Sequence, residues 1–139
     1  MLSRLLVFFQ FLFLFLLFFP SKIHNFWALF IFLTGVIIGL IAVKTHPKRN
    51  FNVRPDIKEN CILITHGIYA YIRHPMYLSV ILMGLGMAIF YNNFFKWSVF
   101  ILLLITMLVK MFYEEKLWSK DECYKEYMKK TKRLIPFIF

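Results

Sequence analysis

Acidic residues are scarce in this chain: it has 139 residues but only seven aspartates and glutamates, none of them before Asp56. Basic residues number 17, which gives a formal net charge of +10, while 60% of the residues are hydrophobic and 20% are aromatic. A soluble domain of this length carries more charge and fewer apolar residues. The composition therefore excludes an ordinary soluble domain and indicates a protein embedded in a bilayer.

Cysteines and histidines do not define a structural site. Cys61 and Cys123 fall in segments that we expect to face a reducing cytoplasm, so a structural disulfide is not predicted. The histidines lack the spacing of metal ligands, and no metal site is predicted. The chain has neither an internal repeat nor a Gly/Ser-rich linker, which indicates a single membrane domain over residues 1–139.

Four long apolar runs predict an all-α integral membrane fold. Two lysines, Lys96 and Lys110, interrupt the last of them. Crossing a hydrocarbon core of about 30 Å takes about 20 apolar helical residues, and fewer when the helix ends are interfacial. We therefore predict about four transmembrane helices, with a packed cytoplasmic loop over residues 44–75 and a C-terminal helix and tail over 114–139. The predicted spans cover about residues 3–19, 26–43, 76–91 and 94–113.

Basic residues are concentrated in the middle loop and in the C-terminal tail. Residues 44–76 hold six lysines and arginines and the residues after Tyr113 hold seven, whereas the short connections contain only Lys22 and Lys96. The positive-inside rule then predicts a multi-pass protein with both termini and the middle loop in the cytoplasm. Positive charge beside membrane spans suits anionic lipid headgroups, and no nucleic-acid partner is predicted.

The segment after Tyr113 has the pattern of an amphipathic helix. We expect this helix to continue from the fourth span, to lie in the cytoplasm and to end near Pro136. One helical stripe holds Leu117, Asp121, Tyr124, Met128 and Thr131.

A polar triplet, Arg73-His74-Pro75, stands at the threshold of the third apolar run. In a purely structural interpretation the first two are juxtamembrane charges, and the proline occupies the first turn of a helix, where its missing N–H has no cost. The acidic pair Glu114-Glu115 at the end of the fourth run favours a site instead. Carboxylates beside hydrocarbon require cationic partners or a polar ligand. The nearest candidate partners are Arg73, His74 and Lys110.

Three stretches of this chain form separated motifs: LITHGIYAYIRHPMY, the later pair EE, and the C-terminal YKEYMKKTKRLIPFIF. Together they resemble the motifs of the isoprenylcysteine carboxyl methyltransferase family and its phospholipid-methyltransferase relatives. The resemblance covers about residues 50–139, and the combination is more specific than any one motif. It implies a small integral membrane enzyme that transfers a methyl group from S-adenosylmethionine to a lipophilic or lipidated acceptor.

The resemblance also implies roles for individual residues. Glu114 would close the cofactor pocket from the fourth span, and Lys110 would take the place of a substrate-facing arginine, as a point charge without bidentate geometry. We predict Arg73 and Glu115 as catalytic residues. The rest of the cofactor site would be formed by Cys61, Ile62, Leu63 and Ile64, largely through backbone, and by Tyr69, His74, Pro75, Met76 and Tyr77.

The chain departs from the family pattern at two places. Ser79 replaces a glycine that is common two residues after the motif tyrosine, which bears on the close packing of the third span. Asp121-Glu122-Cys123 stands where many relatives have Phe-Gly or a similar turn, with a slightly short spacer, which bears on the course of the tail helix.

Methyl transfer requires few catalytic side chains. An acceptor that is already an anion needs no general base, so the protein mainly aligns donor and acceptor and excludes water. The cofactor needs acceptors for its ribose hydroxyls and ammonium group and donors for its carboxylate, which Glu114 and the Arg73-His74 pair could supply. A lipophilic acceptor would enter from the bilayer and the polar cofactor from the cytosol.

Other functions remain compatible with the sequence. One is ethanolamine-lipid N-methylation, and another is a sterol-reductase-like enzyme that binds a nicotinamide dinucleotide, although such enzymes usually have Asn-Pro where this chain has His74-Pro75. A third is a non-catalytic helical membrane subunit. Tyr124 and Tyr127 suit either pocket closure or interfacial anchoring. The sequence leaves the acceptor and the oligomeric state open.

Overall fold

The computed structural model describes residues 2–45 and 63–139, and the regular secondary structure of these residues is helical apart from one isolated parallel bridge between Ile72 and Lys132. The all-α prediction is therefore confirmed for this part of the chain. A short 3₁₀ helix, Gly67–Ala70, precedes the third long helix. The α-helices are α1 (Leu2–Phe18), α2 (Ala28–Thr45), α3 (Pro75–Tyr91), α4 (Phe94–Trp118) and α5 (Glu122–Lys130).

The four long helices coincide with the four predicted apolar runs. In the described ranges, α2 and α4 are long and apolar enough to cross a membrane. The apolar helices α1 and α3 have 17 residues each, at the short end of what a hydrocarbon core requires. The described chain thus contains two candidate spans by length and composition, together with two shorter apolar helices.

α1 and α4 run antiparallel, and a buried lysine joins them. Lys96 lies in the first turn of α4 and is 2% exposed. The last carbonyls of a helix lack partners within it and carry partial negative charge, so the lysine ammonium caps α1. The Nζ of this lysine donates to the carbonyl oxygens of Leu16 at 2.7 Å, Leu17 at 3.1 Å and Phe19 at 2.6 Å.

α2 and α3 are in close backbone contact because small residues face each other. A Cβ added to Gly39 would lie 2.5 Å from the Oγ of Ser79, and one added to Gly35 would lie 2.9 Å from backbone atoms of α3. The two glycines are four residues apart, a spacing that lets membrane helices approach closely. Close packing of α3 is therefore retained with Ser79, because the facing residue is a glycine.

The long helices run up and down, so the start of α1, the end of α2, the start of α3 and the end of α4 meet at one end of the bundle. There Tyr77 of α3 reaches Glu114 of α4, and Ile64 packs with Tyr69 and with Ala42 of α2. We call this the motif end, because it contains the triplet at residues 73–75 and the acidic pair. The described part of the predicted loop is packed here.

The C-terminal helix differs from the prediction of one helix continuing beyond the fourth run. α4 ends at Trp118, and α5 begins after Asp121, whose carboxylate accepts a hydrogen bond from the Cys123 N–H at 2.8 Å. An aspartate that caps a helix start favours a new helix at this point. α5 also ends at Lys130, before Pro136.

Candidate functional site

Glu115 is the centre of a buried ion-pair network at the motif end. Its Oε1 accepts a hydrogen bond from Arg73 Nε at 2.9 Å and lies 3.2 Å from His74 Nε2, while its Oε2 accepts from Arg133 Nε at 2.9 Å. The side chain is only 5% exposed. A buried carboxylate is stable only when it is paired and hydrogen-bonded, and these three partners fulfil that condition. The predicted pairing of the acidic pair with Arg73 and His74 is confirmed for Glu115.

Arg73 also ties the C-terminal segment to this network. Its Nη1 donates to the carbonyl oxygens of Met128, at 3.1 Å, and Thr131. The backbone N–H of Arg73 donates to Lys132 O at 2.8 Å. The segment after α5 therefore lies along the triplet, which brings Arg133 to Glu115. The sequence analysis did not predict this contact of Arg133.

His74 and Pro75 combine a structural and a site-forming position. Pro75 lies in the first turn of α3 and His74 precedes it as the N-cap residue, so the structural interpretation of the proline is correct. The His74 side chain is nevertheless buried among the site residues, and its ring stacks on that of Tyr77 with centroids 5.3 Å apart and planes 1° apart. The triplet thus starts a helix and also delivers an imidazole to the ion-pair network.

Glu114 lies beside the network but has a different partner. Its Oε2 accepts a hydrogen bond from the Tyr77 hydroxyl at 2.5 Å. Its Oε1 makes no hydrogen bond with any residue in the described ranges, and the side chain is half-buried. A carboxylate oxygen accepts hydrogen bonds from hydroxyl and ammonium groups. Glu114 is thus the carboxylate of the pair that can serve a ligand.

Three tyrosines pack around the motif end. Tyr69, Tyr124 and Tyr127 are all buried, and the Tyr127 hydroxyl donates to the carbonyl oxygen of Tyr69 at 2.6 Å. Burial raises the pKa of Tyr127 to about 12 and also raises the pKa values of Tyr69 and Tyr124. These hydroxyls are therefore protonated at neutral pH. Burial within the protein favours pocket closure over interfacial anchoring for Tyr124 and Tyr127.

Lys110, which we expected to pair with the acidic pair, forms no ion pair with Glu114 or Glu115, and Arg133 pairs with Glu115 instead. The Nζ of Lys110 donates to Gln10 Oε1 of α1 at 2.6 Å and lies 5.3 Å from the centre of the Tyr77 ring. Lys110 is 1% exposed. The sequence analysis missed Gln10, although it is the one polar residue in the apolar run 5–19.

An apolar cavity of about 390 Å³ lies between the first four helices and reaches this lysine. Lys110 and Gln10 provide polar groups in its wall, together with Tyr77 and Ser79, and most of the other lining residues are apolar. Because Tyr77 also holds Glu114, the cavity adjoins the polar side chains of the motif end. An apolar cavity with a few convergent polar groups is typical of a small-molecule site.

The other predicted cofactor residues are distributed around the same end. Ile64 and Tyr69 are buried in one cluster, against which Met76 packs, and Met76 also lines the cavity. Leu63 is partly buried. The remaining two, Cys61 and Ile62, lie outside the described residues.

Comparison with known proteins identifies the family of the chain. Residues 27–120 match the sequence model of the isoprenylcysteine carboxyl methyltransferase family, and this range includes the 73–75 triplet, the acidic pair and the helices α2 to α4. The chain belongs to the isoprenylcysteine carboxyl methyltransferase family. The predicted family resemblance is thereby confirmed, whereas α1 with Gln10 and the C-terminal segment with Arg133 fall outside the matched range.

A curated relative in this family comes from Schizosaccharomyces pombe. This protein-S-isoprenylcysteine O-methyltransferase is 32% identical to the chain in an alignment of 85 positions that covers 55% of the chain and 34% of the relative. The chain therefore spans about a third of the length of the relative that it matches.

Proposed function

We propose that the chain is an S-adenosylmethionine-dependent methyltransferase that esterifies the carboxylate of a lipophilic acceptor at a membrane. Membership of the isoprenylcysteine carboxyl methyltransferase family supports the reaction class. The observation that carries the proposal is the position of Tyr77. Its hydroxyl holds the half-buried Glu114, and the same side chain lines the apolar cavity beside Lys110. A polar ligand and an apolar ligand can therefore meet at one residue.

The polar side of the site fits the methyl donor. S-adenosylmethionine offers ribose hydroxyls and an ammonium group as donors, and the available Oε1 of Glu114 is an acceptor for them. His74 offers a second acceptor: Nε2 lies 3.2 Å from the Glu115 carboxylate, and when Nε2 donates to that carboxylate, Nδ1 is the ring nitrogen that can accept. When bound, the cofactor supplies an electrophilic methyl group. The roles predicted for residues 61–64 in its binding stay part of the proposal.

Arg73 and Glu115 act in this proposal by positioning. Both oxygens of Glu115 are occupied by Arg73, His74 and Arg133, and Arg73 additionally donates to backbone carbonyls of the C-terminal segment. The network holds the His74 ring in position, and this ring in turn positions the Tyr77 ring that stacks on it. This refines the catalytic role that we predicted for the pair, because neither residue lines the cavity.

The apolar side of the site fits an acceptor that carries a negative charge. The cavity walls accommodate a hydrocarbon chain, and the ammonium of Lys110 attracts a carboxylate. The same ammonium would repel the cationic amine of an ethanolamine lipid, which disfavours N-methylation. An anionic acceptor reacts without a general base, so alignment and the exclusion of water are the main tasks of the protein.

We further propose that all four long helices cross the membrane and that both termini lie in the cytoplasm. The up-and-down arrangement supports this topology, because it gathers the motif end and the basic C-terminal segment on one side. The site would then lie at the cytoplasmic boundary of the bilayer. There it is accessible to a polar cofactor from the cytosol and to a lipidated substrate from the membrane.

The test is methyl transfer from labelled S-adenosylmethionine to three separate acceptors. These are N-acetyl-S-farnesylcysteine, which has a free carboxylate and no charged amine, the same thioether lacking the carboxyl group, and an ethanolamine phospholipid. We expect label only in the first product. Label in the phospholipid would identify the N-methyltransferase alternative, and a protein that neither binds the cofactor nor labels any acceptor would contradict the proposal.

A further inference from the structure

Gln10 is a polar residue in an apolar setting, and the family match does not include it. It is 7% exposed and lines the cavity together with Lys110. Its neighbours in the cavity wall include Phe11, Leu40 and Met83. A buried amide in such surroundings is unfavourable unless its hydrogen-bonding groups are satisfied.

The contact with Lys110 determines which way the amide faces. An ammonium group only donates, so the amide oxygen of Gln10 must be the atom that approaches it, as observed at 2.6 Å. The amide NH₂ group is thereby turned away from the lysine. Within residues 2–45 and 63–139 it makes no hydrogen bond. Gln10 therefore presents an unpaired donor at the cavity, beside the remaining donors of Lys110.

A carboxylate matches this pair of donors. It has two oxygens, both of them acceptors, and it carries the charge that the ammonium attracts. A methyl ester is uncharged, and one of its two oxygens carries the methyl group and is a weaker acceptor than a carboxylate oxygen. An amine supplies a positive charge and further donors. The pair thus distinguishes a carboxylate from both its ester and an amine.

We propose that Gln10 and Lys110 together recognise the acceptor carboxylate, with Gln10 Nε2 donating to one oxygen and Lys110 Nζ to the other. The proposal rests on the function proposed above and adds a specificity-determining residue from α1 to a site built mainly by α3 and α4. Because the ester product loses this recognition, the same two groups favour product release.

The substitution Gln10→Glu separates this role from a purely structural one. A glutamate still offers an oxygen to the Lys110 ammonium and forms an ion pair with it. If Gln10 only holds Lys110 in position, this variant therefore keeps that role. It also removes the free donor and offsets the lysine charge, so carboxylate recognition would be lost. Gln10→Met removes both functions at nearly constant size. Thr106→Val is the matched control, because its buried hydroxyl donates to Leu102 O within α4, at 2.8 Å, and has no other hydrogen-bond partner among the described residues.

The measurement is equilibrium binding of labelled N-acetyl-S-farnesylcysteine and of its methyl ester to the purified full chain, alongside S-adenosylmethionine binding. We expect the parent and Thr106→Val to prefer the carboxylate, and Gln10→Glu to bind it on the order of tenfold more weakly with cofactor binding unchanged. Parental carboxylate binding by Gln10→Glu would overturn the inference.

Two further outcomes are also decisive. If Gln10→Glu misfolds and so loses cofactor binding, the test uses Gln10→Met. The ratio of carboxylate affinity to ester affinity should then fall towards one in Gln10→Met. An unchanged ratio overturns the inference. Failure of the proposed function itself looks different, because the parent would then bind no cofactor.

Discussion

Arg73 and Glu115 are 42 positions apart in the chain, yet the Nε of the arginine lies 2.9 Å from Oε1 of the glutamate, with both side chains buried. Arg73 precedes α3, and Glu115 lies in the last turns of α4. Their contact therefore connects the two sequence motifs, and the further hydrogen bonds of Arg73 add the C-terminal segment. One ion pair thus holds together the three segments that form the motif end.

Loss of this network should destabilise the protein. Glu115→Gln leaves the guanidinium groups of Arg73 and Arg133 without their buried counter-charge, and we expect a loss of about 3–5 kcal/mol in the free energy of unfolding. Thermal unfolding in detergent measures the effect. Glu122→Gln is the control, because Glu122 pairs with Lys125 at an exposed position and should change stability by less than about 1 kcal/mol. Equal unfolding temperatures for the two variants would contradict a central role for Glu115.

Cofactor binding should depend on Glu114 and His74. Each of the substitutions Glu114→Gln and His74→Ala should weaken S-adenosylmethionine binding more than tenfold, because one charge-assisted hydrogen bond contributes about 1.5–3 kcal/mol. Isothermal titration with the cofactor, and with its demethylated product, checks this expectation. Glu126→Gln on the exposed face of α5 makes the same chemical change outside the site and should bind like the parent. If both site variants bind normally when folded, the cofactor site lies elsewhere.

The hydroxyl of Tyr77 should be needed to hold Glu114 in position, whereas the stacking on His74 should need only the ring. Tyr77→Phe keeps the ring that stacks on His74 and removes the hydroxyl that holds Glu114. We expect weaker cofactor binding with an unfolding temperature near that of the parent. Tyr71→Phe, at an exposed tyrosine near the motif, is the control. Parental affinity in Tyr77→Phe would show that the hydroxyl does not organise the site.

Lys110 should affect the acceptor and not the cofactor. Lys110→Met should lower the methylation rate at subsaturating acceptor while cofactor binding stays nearly intact, and Lys110→Arg should recover much of the rate by restoring the charge. Paired titrations of cofactor binding and of initial rate against acceptor separate the two effects. The other buried lysine provides a contrast, since Lys96→Met removes the cap of α1 and should lower stability. Turnover by Lys110→Met at the parental rate would refute the substrate-side assignment.

The contact between α2 and α3 should be sensitive to a single methyl group. Gly39→Ala places a Cβ 2.5 Å from Ser79 Oγ, and we expect it to destabilise the protein by about 1–3 kcal/mol. The double variant with Ser79→Gly should recover part of this loss, because it removes the atom that the new methyl group meets. Unfolding measurements on the two single variants and the double variant test this coupling. Strictly additive effects would argue against direct contact.

The sequence predicted the long helices well because an uninterrupted apolar run in a membrane protein leaves the backbone few alternatives to a helix. Successive spans alternate in direction, and this alternation placed the start of the third run and the end of the fourth, which carry the motif residues, at the same end of the bundle. The break between α4 and α5 was missed, since a cap at Asp121 is a local effect of about 1 kcal/mol that an amphipathic pattern does not reveal.

Contacts that depend on how separate segments pack could not be predicted. Arg133 reaches Glu115 only because the C-terminal segment folds back along the triplet, and Gln10 meets Lys110 only because of the register between α1 and α4. A lone glutamine in an apolar run is a signal that can be used, because a buried amide requires a partner. This signal singles out Gln10 as a residue that needs a partner, but it does not identify Lys110 as that partner.

The chemical form of the transferred methyl group tests the central claim most directly. Membranes or N-acetyl-S-farnesylcysteine would be incubated with the purified protein and methyl-labelled S-adenosylmethionine, and the extracted product would then be treated with mild base. A carboxyl methyl ester releases its label as volatile methanol, whereas a methylated amine retains it. The proposed function predicts label that base makes volatile, formed by the parent and lost in His74→Ala. Base-stable label, or label that does not depend on His74, would contradict it.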